Sequence, residues 1–437
     1  MNSYRKSPIA LIFLLTVVLL NSPVPAVVVD IRLEPGDIGS HASEGSRTPD
    51  DSTQYNRSEV FVGYSTSSDL LSLRALLGFN LSAIPSNAHI EDVSLGYRIN
   101  KVDSGDVTGV QLYKCPEAVV ESGFDWDTPD GTTPWTVSWV AAADTGLGTL
   151  LSTDTTTFNH DATNIRPTMT DTTGQFTPAV RAAFAAGDPF TVIMTSLDTE
   201  MANTLSHLLR IDSDDAATAN RPVLSVEYSL IQPTTQAGFF NMRQLDFESF
   251  ANGYLDATAV NPTINQGLID FGIESITGSD ADTGSDYQNQ SSPNGKGLFF
   301  DGTRFVILPK DNDPFDNGAY PFRHDQTFTI DFAETYDQFG LSFHDQTDQD
   351  FTFTFYLDGL FQGQYVQSVP VTWDTGGHDL FGFTTPFQFD RVVVNGSNSG
   401  DGIGIDNITV GRVPEPSTAL LLALSLAAGF WMRRRRG

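Results

Sequence analysis

The sequence predicts an all-β chain of two tandem β-sandwiches, and three observations support this fold class. Helical periodicity is scarce, short apolar or alternating runs are frequent, and clusters of Gly, Asn, Asp and Pro separate those runs. The single cysteine, Cys115, excludes an intramolecular disulfide, so hydrophobic cores must hold the domains together.

The first predicted domain spans residues 27–230. One helix is expected in it, because Thr177 suits an N-cap, Pro178 the first helical position and Gly187 the helix end. Val180 and Phe184, four residues apart, are expected to dock this helix on a sheet. Strands are predicted at 58–64, 73–80, 90–98, 110–114, 190–196, 208–212 and 223–228.

Residues 231–238 are rich in Pro, Thr and Gly and are predicted to be a polar linker to a second domain at 239–412. In that domain Phe351, Phe353 and Phe355 alternate with polar residues, which predicts a strand with an aromatic core face. Asp358 and Gly359 predict a hairpin turn. Strands are predicted at 327–332, 339–343, 351–357, 364–369, 387–394 and 405–410.

Residues 1–26 are predicted to be a signal peptide. Arg5 and Lys6 precede an apolar run at 9–20, and the small residues that end at Ala26 form a cleavage site for signal peptidase. The sequence therefore predicts an exported protein. A retained N-terminal anchor is the alternative.

The C-terminal tail, residues 413–437, contains three successive features. The motif Val413, Pro414, Glu415 and Pro416 is followed by fifteen uncharged residues at 418–432. As a helix these would extend about 22 Å, against about 30 Å of membrane hydrocarbon, so they predict a single short transmembrane helix. Four arginines follow this stretch and are expected to hold its end at the cytoplasmic side: Arg433, Arg434, Arg435 and Arg436.

This tail resembles the PEP-CTERM sorting tail in all three features. The resemblance implies that an exosortase removes the helix and that the protein is held transiently in the inner membrane of a Gram-negative bacterium before it reaches the cell surface or the exterior. The same kind of tail occurs on some ice-binding proteins. An ordinary tail anchor is the alternative.

Two weaker resemblances concern the predicted domains. Residues 74–88, 90–97, 110–113 and 220–228, with the helix between them, resemble a DNRLRE-type β-sandwich related to disaggregatase repeats. The segments 245–250, 339–343 and 400–410 resemble a jelly roll. The resemblances imply two jelly-roll-like sandwiches of the kind found in carbohydrate-binding modules.

The charge of the chain excludes a polyanionic partner. The formal net charge is −30, and removal of residues 1–26 and 417–437, which contain six basic residues and no acidic ones, makes it −36. Such a surface repels nucleic acid and anionic lipid.

A structural calcium is a possible cofactor that the jelly-roll resemblance implies, with Glu248 and Asp406 as its carboxylate ligands. Calcium needs six to eight oxygens, so backbone carbonyls and Asp246 would have to complete the site. Alternatively, Asp406 satisfies a turn and Glu248 is solvated. The acidic runs at 280–286 and 311–318 lack the residues of an EF-hand loop and are more typical of turns.

Signals for catalysis are few, since the sequence contains no nucleophile elbow, zinc-protease motif or phosphate loop. Aromatic side chains are the remaining indication of a ligand. Trp126, Trp135 and Trp139 lie in a Gly/Asp/Thr-rich loop, where exposed indoles would stack on sugar rings, although tryptophans more often fill a core.

The sequence therefore predicts a non-enzymatic exported protein of the cell surface or extracellular matrix that binds or organises polysaccharide. Exosortase and signal peptidase are its expected processing partners. Two alternatives stay open. One is a secreted polysaccharide hydrolase or lyase, and the other is an ice-binding protein, which would need a regular threonine array.

Overall fold

The computed structural model describes most of the predicted sandwiches. The described residues are 26–35, 37–45, 53–54, 58–65, 71–103, 105–120, 128–129, 132–134, 147–197, 207–245, 253–254, 268, 270–278, 288–291, 304–307, 327–344, 349–369, 380–396 and 404–413. The chain divides into two compact units, with the division between Leu230 and Ile231.

The first unit is a β-sandwich whose strands pair in antiparallel fashion. A four-stranded sheet has the order β1-β14-β6-β11, and a larger sheet has the order β10-β7-β13-β4-β5-β12-β8-β9, with β2 and β3 attached at β5. The strands are β1 Val27–Arg32, β2 Gly39–Gly45, β3 Thr53–Gln54, β4 Glu59–Ser65, β5 Leu71–Phe79, β6 Ala88–Gly96, β7 Ile99–Asp103, β8 Val110–Lys114, β9 Leu150–Asp154, β10 Thr163–Ile165, β11 Thr168–Thr170, β12 Phe190–Ser196, β13 His207–Asp212 and β14 Val223–Leu230.

The core of this unit lies between the two sheets. Val62, Leu77, Leu95, Val192 and Val226 are completely buried in one apolar cluster to which both sheets contribute. The predicted strands 110–114 and 190–196 are confirmed with their exact bounds, and the other five are confirmed with ends shifted by up to two residues. Strands with one buried and one open face give clear alternation, so their location could be read from the sequence.

The helix α1, Phe176–Ala186, is confirmed, but the predicted N-cap is wrong. Gln175 is the N-cap residue, and Asp171 accepts hydrogen bonds from the backbone N–H groups of Phe176 and Thr177 at 3.1 and 2.9 Å. Pro178 is therefore the third helical residue rather than the first. It tolerates this position because the first four N–H groups of a helix have no intrahelical partner. An aspartate several residues upstream does the capping that Thr177 was expected to do.

The other expectations for α1 are confirmed. Gly187 adopts the left-handed conformation with φ 72° and ends the helix. Val180 is fully buried and Phe184 packs against the core, so α1 docks on β6.

The second unit is also built from antiparallel strands. Their main order is β17-β19-β20-β25-β21-β24-β22-β23, and β15, β16 and β18 pair with β24, β25 and β21. The strands are β15 Gln232–Thr234, β16 Arg243–Leu245, β17 Gly253–Tyr254, β18 Ile273–Gly278, β19 Gln288–Ser291, β20 Arg304–Ile307, β21 Thr327–His344, β22 Gln349–Leu357, β23 Leu360–Val369, β24 Leu380–Gly396 and β25 Gly404–Gly411.

Two long strands, β21 and β24, change pairing partners along their length. The predicted strands 327–332 and 339–343 are parts of the single strand β21, whose pairing with β24 shifts register around Tyr336. The N-terminal half of β21 lies beside β18, and its C-terminal half lies beside β25. Register shifts of this kind bend a strand and let its two halves take different partners.

Aromatic side chains fill the core of the second unit. Phe351, Phe353 and Phe355 are completely buried, as predicted from their alternation. The Phe353 ring lies with its centroid 4.6 Å from that of Phe383, which belongs to the other half of β24. The predicted hairpin is confirmed, because Asp358 and Gly359 join β22 to β23 with φ values of 51° and 76°.

The predicted linker at 231–238 is wrong, because these residues belong to the second unit. Ile231 is completely buried, and β15 pairs with residues 382–384 of β24. Residues 236–238 then form a 3₁₀ turn. Strand pairing uses backbone groups, so a mostly polar segment can join a sheet edge with few apolar side chains.

Of the two predicted targeting segments, residues 1–26 and 413–437, all but Ala26 and Val413 lie outside the described residues. None of the helices in the described part of the chain combines the length and the apolar character needed to cross a membrane.

Candidate functional site

Most of the residues that the sequence nominates for a site lie outside the described ranges. This applies to Trp126, Trp135, Trp139, Glu248, Pro414, Glu415, Pro416 and the four arginines Arg433 to Arg436. The backbone of Asp406 is described and pairs with Ser342 of β21. Val413 is described in full, so one residue of the tail motif can be placed on the fold.

Among the described residues, no three side chains of the His, Cys, Asp or Glu type gather where they could hold a metal ion. The acidic runs at 280–286 and 311–318 lie outside the described ranges. The calcium site at Glu248 and Asp406 stays a prediction.

The C-terminal tail leaves the fold at a site formed by Arg412, Val413 and the segment 334–337 of β21, here called the sorting junction. The Arg412 guanidinium donates from Nε to the Thr335 carbonyl at 2.7 Å and from Nη2 to Glu334 at 3.0 Å. Its Cζ atom also lies 5.4 Å from the centroid of the Tyr336 ring, in cation–π geometry. Arg412 is thus fixed by three successive residues of β21.

The backbone of the sorting junction is also held on both sides. Arg412 N–H donates to the carbonyl of Phe240 at 3.0 Å. Val413 N–H donates to Oδ1 of Asp337 at 2.7 Å. A hydrogen bond to a carboxylate is among the stronger kinds in proteins, so the first residue of the Val-Pro-Glu-Pro motif is tied to the second unit.

Gln338 supports this junction from within. It is 1% exposed, accepts from the Phe240 N–H at 2.7 Å, and donates from Nε2 to the Gly238 carbonyl and to Thr384 Oγ1, each at 3.0 Å. The Gln338 side chain therefore connects residues 238–240 to the long strands β21 and β24. Its register partner is Gly411, the last residue of β25.

A second candidate surface is the side of the second unit opposite to its phenylalanine core, here called the outer face. Four adjacent strands, β21, β24, β22 and β23, form this face. In each strand every second side chain points away from the core. Strand register arranges them in rows, of which the first is Asp331, Arg391, Tyr356 and Phe361, the second Thr329, Val393, Thr354 and Gln364, and the third Thr327, Asn395, Thr352 and Val366.

The first row of the outer face combines an ion pair with an aromatic pair. Asp331 accepts from Arg391 Nε and, at 2.7 Å, from Ser275 Oγ of β18. The hydrogen bond and the charge of Asp331 raise the pKa of Arg391. The rings of Tyr356 and Phe361 lie edge to face, with centroids 6.2 Å apart. Charges on this row are thus paired beside an aromatic patch.

Sequence reasoning missed both surfaces for the same reason. The alternation of Thr352 and Thr354 with the core phenylalanines was visible, but the residues opposite them depend on long-range register. Arg412 and Asp337 are 75 positions apart, and no local pattern links them. Strands β7 and β13 of the first unit show similar paired charges, such as Asp103 with Arg210.

Solved structures with a detectable likeness to this chain have very low similarity scores. A family 29 carbohydrate-binding module is 9% identical, covers 41% of this chain and all of its own, and has a TM-score of 0.20. Two family 32 modules of Clostridium perfringens ZmpB are 9% identical, cover 89% of this chain and 100% of their own, and have a TM-score of 0.17. Allantoicase from Saccharomyces cerevisiae is 8% identical, covers 77% of this chain and 77% of its own, and has a TM-score of 0.19. These values are too low to transfer a property to this chain. No curated protein matches it.

The family comparison matches the tail alone. Residues 412–436 match the model described as the PEP-CTERM protein-sorting motif, which agrees with the resemblance of the Val-Pro-Glu-Pro tail. The motif implies an exported protein that an exosortase processes. The chain therefore carries a PEP-CTERM sorting motif, and its first two residues, Arg412 and Val413, are bound to the second β-sandwich.

Proposed function

We propose that this protein is a non-catalytic component of the cell surface or extracellular matrix of a Gram-negative bacterium, where it binds or organises polysaccharide. The sorting motif supports export and the transient stay in the inner membrane. The observation that carries the ligand proposal is the outer face, where Tyr356 and Phe361 lie beside Asp331 and Arg391.

The chemistry of the outer face suits a neutral sugar chain. Aromatic rings pack on the apolar side of a sugar ring, while carboxylate, guanidinium, amide and hydroxyl groups exchange hydrogen bonds with sugar hydroxyls. Neighbouring strands are separated by about 4.8 Å, so the four strands of each row extend over roughly 14 Å. This span accommodates an extended oligosaccharide better than a single sugar. The net charge of −30 disfavours an acidic one.

Two alternatives predict different results. A hydrolase or lyase needs two carboxylates about 5–10 Å apart in a cleft, whereas Asp331 on the outer face is engaged by Arg391 and Ser275. Ice binding needs an uninterrupted threonine array. On the outer face Val393 and Asn395 separate the pair Thr327 and Thr329 from the pair Thr352 and Thr354.

The test uses the mature chain, residues 27–413, with insoluble neutral glucans, chitin and xylan as ligands. Tyr356→Ala and Arg391→Ala should each weaken retention by about 1–3 kcal/mol, the usual cost of truncating an interface anchor. Arg210→Ala is the matched control, because Arg210 also pairs with an aspartate on a sheet face but belongs to the other unit.

Three results separate the hypotheses. Retention that survives both outer-face variants would contradict binding at this face. Release of soluble sugars by the wild-type chain would favour the hydrolase or lyase. Thermal hysteresis in ice-growth assays without any sugar retention would favour the ice-binding alternative.

A further inference from the structure

The sorting junction places the first residue of the Val-Pro-Glu-Pro motif inside a folded unit. Enzymes that act on a peptide segment commonly bind it as an extended strand, through its backbone N–H and C=O groups. Val413 N–H already donates to Asp337, and Arg412 N–H already donates to Phe240. In the folded state these two donors are therefore not available to a processing enzyme.

The contacts of the junction are unequal in strength. The Arg412 and Glu334 side chains are 48% and 58% exposed, so water screens their ion pair and it contributes little. The hydrogen bond between Asp337 and Val413 is partly buried and involves a full charge. It is therefore the main restraint on Val413.

The chain directly before the junction is fixed more firmly. A Cβ atom on Gly411 would lie 2.7 Å from Gln338 Oε1 and 2.7 Å from the Phe240 carbonyl, so this strand end is closely packed. Ile408 and Val410 are completely buried. Release of the motif therefore requires only Arg412 and Val413 to detach, while β25 stays in place.

We propose that the fold of the second unit restrains sorting, and that exosortase engages the motif only after Val413 has left the Asp337 carboxylate. Asp337 thus acts as a positioning residue for the processing step. The inference rests on the sorting motif at 412–436 and does not depend on polysaccharide binding.

The test follows conversion of the full-length precursor to its processed form by pulse-chase in a host that contains an exosortase. Asp337→Ala removes the acceptor without changing residues 412–436. Because a lost hydrogen bond to a charged group shifts the opening equilibrium by about a factor of ten, processing should accelerate roughly tenfold. Asp337→Asn, which keeps an acceptor oxygen, should give an intermediate rate.

Two controls keep the result interpretable. Glu274→Ala removes an exposed carboxylate of β18, which pairs with residues 328–332 of β21 and not with the segment 334–337, and should leave the rate unchanged. A Gly-Ser-Gly insertion between Gly411 and Arg412 moves the motif away from Asp337 without altering either partner, and should also accelerate processing. The insertion variant provides the test if Asp337→Ala does not fold. Wild-type or slower processing of a folded variant would overturn the proposal.

Discussion

The ring of Phe239 lies directly over Gly382 of β24. A Cβ atom at Gly382 would be 2.7 Å from Phe239 Cε2 and 2.8 Å from the carbonyl oxygen of Thr234. The same ring would be 2.9 Å from a Cβ atom at Gly340, which pairs with Gly382 across the sheet. Two glycines on neighbouring strands thus form the surface on which residues 232–240 are seated.

We expect Gly382→Ala to destabilise the second unit by about 1–3 kcal/mol, because the added methyl group meets a backbone oxygen that cannot rotate away. Urea unfolding of the mature chain measures this change. Gly96→Ala is the control, since a Cβ there has its closest neighbour at 3.9 Å.

In the wild type, residues 231–238 should resist proteolysis, because their backbone pairs with β24. Rapid cleavage in this segment would contradict that pairing.

The sequence was informative wherever local pattern determined structure, as in the strand with Phe351, Phe353 and Phe355 or the turn at Asp358. It failed where contacts between residues far apart in the chain determined the structure. The segment at 231–238 has the composition of a linker, yet Gly340 and Gly382 give it a place to pack. Similarly, the importance of Asp337 depends on Val413, 76 residues away in the chain.

The cap of α1 gives a prediction about pH. Burial favours the neutral form of Asp171, but the hydrogen bonds from the Thr177 and Phe176 N–H groups outweigh it and lower the pKa of this carboxyl. Asp171→Ala should cost about 0.5–2 kcal/mol at neutral pH, the usual cost of losing an N-cap.

A lowered folded-state pKa means that this stabilisation is complete above the unfolded-state pKa of about 3.9 and is lost as the pH falls through the folded-state value. The stability difference between wild type and Asp171→Ala should therefore shrink below about pH 4. Asp92→Ala, at an exposed position on β6, serves as the control. A difference that stays constant down to pH 2 would show that the carboxylate charge is not involved.

The calcium prediction can be tested by thermal unfolding of the mature chain. If Glu248 and Asp406 bind calcium, the melting temperature should rise on adding calcium, since a ligand at 100 times its Kd stabilises the folded state by about 2.7 kcal/mol. The double variant Glu248→Gln, Asp406→Asn should lose this response. An unchanged melting temperature in EGTA would rule out a stabilising calcium site.

The loop with Trp126, Trp135 and Trp139 is a second proposed place for polysaccharide. If these indoles stack on sugar, Trp126→Ala or Trp135→Ala should weaken binding by about 1–3 kcal/mol and leave the melting temperature unchanged. Tryptophan emission should then change when the ligand is added. A lower melting temperature with normal retention would instead identify them as core residues. Combination with Tyr356→Ala tests whether the two surfaces act independently.

The sorting tail gives the prediction with the clearest outcome. Replacing Pro414 and Pro416 by alanine should block release and leave a membrane-bound precursor, because alanine allows the apolar helix to extend back across the motif, whereas proline prevents this. Deletion of Arg433–Arg436 should cause a similar defect by removing the cytoplasmic charges that hold the end of the helix. Membrane fractionation of cells that contain exosortase measures both, with Thr418→Ala as the control.

Because Asp337→Ala is expected to accelerate processing, the triple variant that combines it with both proline changes distinguishes detachment of Val413 from recognition of the motif. A precursor that stays unprocessed would show that detachment of Val413 precedes recognition, whereas restored release would mean that the prolines act only by keeping the motif accessible.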